Sequence, residues 1–340
     1  MKAPILEMRS LSIGYAGRKR TEHFVAGPLE AALRAGEFVC LLGPNGAGKS
    51  TLLQTLTGIR PPLCGSVLFE NRPIGTFSAR ELARCMSVVL TQRVAAGMMP
   101  VDKLVALGRH PYTDWAGRLG PRDKEAVARA IEAAGVEPLA RRPFCELSDG
   151  EKQKVMIARA LAQEPRVMIL DEPTAFLDLP RRVELMHLLR RLAHDSGRAV
   201  LMSTHELDLA LRCADRLWLL PSGAPLVEGT PEDLVLRGAF SSVFTTALVS
   251  FDGNTGSFHT AAHSRGAVVL GGEGIARLWT TRALERAGYQ VVAAGQAKLG
   301  VEVAMNGSGP CWWVSGTKRK QCSSLDAVLE AVAGELGGPQ

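Results

Sequence analysis

The chain has 340 residues, 46% of them hydrophobic, 22% charged and only 5% aromatic, with a formal net charge of +6. That length allows roughly two domains and a large buried core, and the composition is that of a soluble globular protein. So few aromatics argue against stacking platforms for single-stranded nucleic acid, and so mild a charge reads as a solvated basic surface.

Seven cysteines (Cys40, Cys64, Cys85, Cys145, Cys213, Cys311, Cys322) are scattered without a C-x-x-C pair. Such a set reads as reduced thiols in the cytoplasm, not a disulfide frame or zinc site. The start, "MKAPILEMRSLSIGY", lacks the apolar core of a signal peptide. No uncharged stretch reaches the roughly 18 residues that span a bilayer, so any membrane process it serves needs a separate spanning partner.

In chain order, "EFVCLL" (37–42) is a short apolar run of the buried-strand type, followed by glycines and the helical "KSTLLQTLTG". "GSVLFE" and "CMSVVLTQ" read as further strands. Between about residues 95 and 165 the spacing turns helical in "VDKLVALGRH", "PRDKEAVARAIEAAGV" and "EKQKVMIARALAQ", which predicts a helical subdomain inserted in the sheet. Strands resume at "RVMIL" (166–170) and "RAVLMS" (198–203), separated by the helix "PRRVELMHLLRRLAHDSG". A turn-rich edge, "WLLPSGAPLVEG", and a helix around "TPEDLVLRG" close a first domain near residue 250. Residues 251–265 are rich in Gly, Ser and Thr and read as a loop or linker. Residues 266–340 then form a small α/β unit: "AVVL", "IARLWTTRALERAG", "YQVVAA", "GVEVAM", "CWWVSG" and "SLDAVLEAVAGEL". The alternation predicts an α/β fold with an inserted helical subdomain and a small C-terminal α/β domain, and the phosphate-loop motif at residues 43–51 makes the first domain a P-loop fold.

Residues 43–51, "GPNGAGKST", match G-x-x-x-x-G-K-[ST] between a strand and a helix. A chance match in this chain is on the order of one in a hundred. The loop Gly43, Pro44, Asn45, Gly46, Ala47, Gly48 wraps phosphates with backbone N–H groups, and Lys49 reaches the terminal phosphates. Ser50 supplies an oxygen to Mg²⁺, and Thr51 completes the nucleotide-binding loop. The apolar run "VMILDE" sets Asp171 and Glu172 at the carboxyl end of a buried strand. Asp171 suits Mg²⁺ and Glu172 can orient and deprotonate an attacking water. "LSDGE" (147–151) is a capping box, Ser148 with Glu151, at a helix start that also has the look of a second phosphate site.

The order "GPNGAGKST", "LSDGEKQK", "VMILDEPTAFLD", "MSTHE" resembles the ATP-binding subunit of ABC transporters over roughly residues 4–248. The phrases "ILDEPTAFLDLP" and "STHELDLALRCADRLWLL" look most like the iron-siderophore, haem and cobalamin importers. The resemblance implies an ATPase working as a head-to-tail homodimer at the cytoplasmic side of the inner membrane. Its implied partners are integral-membrane permease subunits and, indirectly, a substrate-binding protein; no nucleic acid is involved. It implies adenine stacking by Tyr15, a Mg²⁺ and permease sensor at Gln92, and a switch histidine at His205. Ser148 and Gly150 would touch the nucleotide held by the partner's Lys49 loop, with Asp178 at the dimer interface. Asp149 and Glu151 depart from the commoner L-S-G-G-Q and place two carboxylates where a phosphate is to arrive. Alternatives are an exporter ATPase, or a soluble ABC ATPase of translation or DNA repair. The latter usually carry tandem cassettes or a long coiled-coil insertion. In the C-terminal unit "VVLGGEG" suggests a dinucleotide loop, but Arg277 stands where the third glycine belongs. A regulatory or dimerising role is the better expectation there.

Overall fold

The computed structural model describes residues 3–16, 22–91, 94, 96–246, 249–253, 256–260, 265–306 and 309–336. The chain divides into two compact units, one of residues 1–245 with 251–257, the other of 246–250 with 258–340.

A six-stranded sheet organises the first unit. Its spatial order is Val227–Gly229, Arg216–Leu219, Phe38–Leu42, Ala199–Ser203, Val167–Asp171 and Met86–Val89. The strands from Arg216–Leu219 to Met86–Val89 are parallel, and only the Val227 edge strand is antiparallel. The three middle strands are fully buried along their length. That explains their unbroken apolar sequences, because a parallel sheet covered on both faces leaves no side for polar residues. Val39, Leu41, Val167, Ile169, Ala199, Leu201 and Trp218 pack in one cluster with Leu52 and Leu56 of the helix Lys49–Leu56.

A second sheet, antiparallel, runs Glu22–Arg34, Pro4–Ala16, Cys64–Phe69, Arg72–Pro73. Its first two strands are 13 residues each. Ser10 takes a positive φ where the register slips between Met8 and Leu11. Ile5, Met8, Leu11, Ile13 and Leu29 bury this sheet against the same core.

The expected helical insertion consists of Val101–Ala106, Pro121–Ala134 and Asp149–Ala162. Arg109 ties these together. Buried itself, it donates to Asp123 Oδ1 (2.8 Å), Glu164 Oε2 (2.7 Å) and the Ala162 carbonyl (2.9 Å), and stacks 3.8 Å from the Tyr112 ring centre. Burial alone would raise the Asp123 and Glu164 carboxyls. The hydrogen bonds and charge of Arg109, with the Gly120 N–H at Asp123 and Arg129 at Glu164, outweigh it and hold both below the usual range.

The segment read as a loop or linker holds paired strands, Val249–Asp252 and Ser257–Thr260, while residues 254, 255 and 261–264 lie outside the described residues. Phe251 supplies the reason. It is buried, with its ring centre 5.2 Å from that of Phe240, so an apolar anchor hides in a polar stretch.

The second unit is a five-stranded sheet in the order Tyr289–Val292, Gly266–Gly271, Gly300–Asn306, Gly309–Ser315, Arg319–Cys322. Helices Gly274–Arg286 and Leu325–Leu336 pack on it around Val268, Leu284, Val301, Trp312, Val314, Val328 and Val332. Trp312 Nε1 donates to Thr280 Oγ1 (2.7 Å), which satisfies the one polar group of that buried ring.

Candidate functional site

Register builds the site. Ser203, the last residue of its strand, pairs with Leu41 on one side and Asp171 on the other. The carboxyl ends of three adjacent strands therefore deliver the 43–51 loop, the Ser203–His205 segment and the Asp171–Glu172 pair to one edge. Open α/β sheets bind ligands at that edge.

The loop is shaped by backbone. Gly46 (φ +80) and Gly48 (φ +100) occupy conformations that L side chains rarely adopt. At Gly48 space is also closed, since a Cβ would lie 2.5 Å from Val25 Cγ1, whereas at Gly46 it would meet nothing within 4 Å. Asn45 and Gly46 are exposed at the crest, Pro44 and Gly48 are half-buried, and Gly43, Ala47 and Thr51 are buried. Ser50, exposed, follows Lys49 at the head of the helix.

Lys49 is only 6% exposed and turns its ammonium back into the loop, donating to the carbonyls of Gly43 (2.9 Å) and Pro44 (3.2 Å). Burial pushes this ammonium below its ordinary range, partly offset by the charges of Glu172 and Asp171. A buried cation held in a glycine cradle at a helix start fits a polyphosphate, which would replace two neutral carbonyls with anionic oxygens. Ser50 and Asp171 border the same narrow crevice, otherwise lined mainly by apolar side chains such as Leu53, Val88 and Ile169, and both carry oxygens of the kind Mg²⁺ takes.

The acids are fixed by a residue that motif reading passed over. Ser203, completely buried, donates its hydroxyl to Asp171 Oδ1 (2.6 Å) and accepts the Glu172 backbone N–H (2.9 Å). One side chain thus orients the Asp171 carboxylate and holds the main chain of its neighbour. Glu172 sits at φ +48, a left-handed conformation uncommon for glutamate. Its Oε1 lies 2.7 Å from His205 Nε2. Thr91 Oγ1 donates to the Asp171 carbonyl (2.7 Å), which fixes the strand end from the other side. A serine closing an apolar run beside "THE" was the available signal for Ser203, but a strand-end serine has many ordinary uses.

Tyr15 joins this group through its hydroxyl, 2.7 Å from Thr51 Oγ1. Its ring is 42% exposed, with the Arg60 guanidinium 4.3 Å from the ring centre. One face is therefore already stacked on a cation. Gln92 lies outside the described residues.

Ser148 and Gly150 stand in a different setting. Ser148 caps the helix Asp149–Ala162 in a complete capping box with Glu151. Gly150 faces the Arg181 side chain, 3.5 Å from where a Cβ would stand. Asp178 caps the next helix, Leu179–Ser196, accepting the Arg181 N–H (3.2 Å). On either side of Asp178, Phe176 is 67% and Leu179 63% exposed.

The family model of ABC transporters matches residues 27–175, and that described as the iron ABC transporter C-terminal domain matches residues 265–333. The chain is 42% identical over 240 residues to an uncharacterized ABC transporter ATP-binding protein of Methanocaldococcus jannaschii, covering 71% of this chain and 81% of that one. It is 35% identical over 236 residues to the achromobactin transport ATP-binding protein of Dickeya dadantii, covering 69% and 86%. Among solved structures, an inward-facing ABC transporter described as of metal-chelate type aligns with a TM-score of 0.61 at 25% identity, over 76% of this chain and 96% of that one. A dimeric bacterial ABC transporter cassette aligns with a TM-score of 0.57 at 25% identity, over 66% and 98%. With the phosphate loop, the paired acids and the histidine on one sheet edge, these likenesses make the chain a member of the ABC transporter family of ATP-binding proteins, an ATPase that drives transport.

Proposed function

We propose that this chain powers import of a chelated metal, of the iron-siderophore, haem or cobalamin type, through a separate integral-membrane permease fed by a substrate-binding protein. The observation that carries the reading is the C-terminal match to the iron transporter domain, on a cassette whose relatives include an achromobactin transport protein. The exporter and soluble alternatives offer no reason for that second unit. Among the described residues no helix is long and apolar enough to cross a membrane, which fits a peripheral subunit on the cytoplasmic face.

In this reading the 43–51 loop and Lys49 hold the phosphates, Tyr15 meets the adenine, and Ser50, Gln92 and Asp171 hold Mg²⁺. The ion, when bound, neutralises charge that develops on the transferred phosphoryl group. Glu172 takes the proton of the attacking water at its carboxylate. His205, already 2.7 Å from Glu172 Oε1, orients that carboxylate and is placed to turn toward the γ-phosphate. Two copies pair head to tail, so that Ser148 and Gly150 of one protomer meet the nucleotide on the other and Asp178 lies at the seam. The exposed Phe176 and Leu179 beside Asp178 support a buried partner there, since large apolar groups in one patch favour an interface. Residues 1–250 are proposed as the ATPase domain, 251–265 as the connection and 266–340 as a regulatory domain.

The test is uptake. The subunit is reconstituted in vesicles with the permease it co-purifies with, and the binding protein is loaded in turn with ferric hydroxamate, ferric catecholate, haem and cobalamin. ATP-dependent accumulation of one of these, with stimulated hydrolysis, supports the reading. Export, or hydrolysis indifferent to every loaded binding protein, overturns it.

A further inference from the structure

The helix Asp149–Ala162, termed the signature helix, starts with a hydroxyl that is already spoken for. Ser148 Oγ donates to Glu151 Oε2 (2.8 Å), and Ser148 N–H donates to the same oxygen (2.8 Å). In return Ser148 Oγ accepts the Glu151 N–H (3.4 Å). A serine hydroxyl has one hydrogen. While it points at Glu151 it cannot point at a phosphate.

Charge adds to this. Asp149 and Glu151 both lie in the first turn of the helix, where they oppose the positive end of the macrodipole that an incoming anion would use. Arg142 and Arg181 stand close enough to favour the Glu151 carboxylate, which its bonds to Ser148 hold below the ordinary range. Arg181 runs alongside Gly150 and also contacts Glu184, which in turn takes Lys154. Glu151 thus has cationic neighbours to which it can turn when it lets go.

We propose that Glu151 gates the composite site: its carboxylate holds the Ser148 hydroxyl until the nucleotide on the partner protomer displaces it, and so sets the ATP concentration at which the dimer closes. The gate rests on the reading that Ser148 serves the partner's nucleotide. Closing exchanges one anionic acceptor for another, so the hydroxyl loses little. The cost is that Glu151 and the phosphate must approach one another before Glu151 swings toward Arg142 or Arg181. A glutamine at 151 keeps an oxygen for the Ser148 N–H but removes the charge and weakens the grip on the hydroxyl. Charge-assisted hydrogen bonds are roughly twice as strong as neutral ones, which sets a change of about three- to tenfold.

The experiment measures ATP-driven dimerisation by sedimentation, with every variant built on Glu172→Gln so that hydrolysis does not drain the closed state. Adding Glu151→Gln should lower the half-saturating ATP concentration about three- to tenfold, with nucleotide affinity of the monomer unchanged. Raising salt should bring the parent's half-point down toward that of Glu151→Gln, because screening removes the like-charge term. A purely structural cap would move neither quantity in that direction. An unchanged or higher half-point in Glu151→Gln overturns the gate. Ser148→Ala on the same background separates the two failures. If Ser148→Ala leaves dimerisation untouched, Ser148 does not serve the partner and the underlying reading fails. If it weakens dimerisation while Glu151→Gln has no effect, the gate alone is wrong.

Discussion

Ser203→Ala removes a single oxygen and should disable the site more than its size suggests. In the native protein that oxygen gives a hydrogen to Asp171 and takes one from the Glu172 main chain, at 2.6 and 2.9 Å. Losing the bond to an ionised carboxylate costs roughly 1.5–3 kcal/mol, and leaving a buried N–H without a partner costs about 1–3 kcal/mol. Asp171 is 9% exposed, so water can recover part of its loss; Ser203 is completely buried, and its replacement leaves no room for a compensating group. A net destabilisation of about 2–4 kcal/mol follows, read as a lower urea midpoint at constant slope. Function should fall further. With its anchor gone the Asp171 carboxylate samples other rotamers, and the Mg²⁺ concentration for half-maximal ATPase should rise several-fold. The Glu172 backbone, held at a strained φ of +48, should relax and take the proposed general base out of line, lowering kcat about 10- to 100-fold. Equilibrium unfolding and a Mg²⁺ titration of steady-state hydrolysis check both parts, and Ser203→Thr, which keeps a hydroxyl, should restore much of the loss. Unchanged Mg²⁺ dependence in Ser203→Ala would show that the serine is ordinary filling.

Three further outcomes follow from the geometry. Gly48→Ala combines a φ of +100 with a contact 2.5 Å from Val25 Cγ1, whereas Gly46→Ala carries only the strain of φ +80; nucleotide titrations should show the first losing ATP affinity at least tenfold and the second much less. Arg109→Met should destabilise the first unit by about 1–3 kcal/mol near neutral pH, because Asp123, Glu164 and the Ala162 carbonyl lose their shared buried donor, while Asp123 keeps the Gly120 N–H and Glu164 keeps Arg129. Those carboxyls lie below their ordinary range when folded, so their contribution is present above about pH 4 and fades as acid protonates them; melting curves of parent and variant should converge there, and parallel curves would refute the network. Truncation after Ser257 should leave a folded ATPase, whereas truncation after Ser250 removes the buried Phe251 from Phe240 and should melt earlier by a margin matching about 2–4 kcal/mol.

What could be read in the sequence follows from burial. "FVCLL", "VMILD" and "AVLMS" are unbroken apolar runs because their strands are covered on both faces, and the chemistry at their ends demands particular residues at fixed spacing. The two 13-residue strands at the start were not legible as strands. Alternation should betray them, but slips between Met8 and Leu11 and again after Ile13 break the period of two. Ala79–Cys85 has no fully buried residue; only Leu82 and Cys85 touch the core, too short an apolar stripe to read, and its capping box, Ser78 with Glu81, adds local support. Arg319–Cys322 reads "RKQC", an edge strand whose charges discourage further pairing and hide it from a hydrophobic pattern. At the site, residue types announced the loop and the acids, but only register could show that Ser203 stands between them.

Two serines of this chain have the same atoms and opposite uses, and burial decides which is which. Ser203 commits its hydrogen to Asp171 in a fully buried setting, where a bond to a charge is strong and any other arrangement leaves polar groups unpaired. It therefore cannot let go without unfolding the strand end, and it serves as fixed scaffolding for the acids. Ser148 commits its hydrogen to Glu151 at an exposed helix start, where water competes and salt screens the charge. Exchanging that acceptor for a phosphate costs little, since the hydroxyl faces an anion before and after. The proposed composite site, fixed in one protomer and responsive to the other, needs both kinds of contact. Moving them would defeat each: an exposed Ser203 would let Asp171 wander, and a buried Ser148–Glu151 pair would lock the signature helix shut.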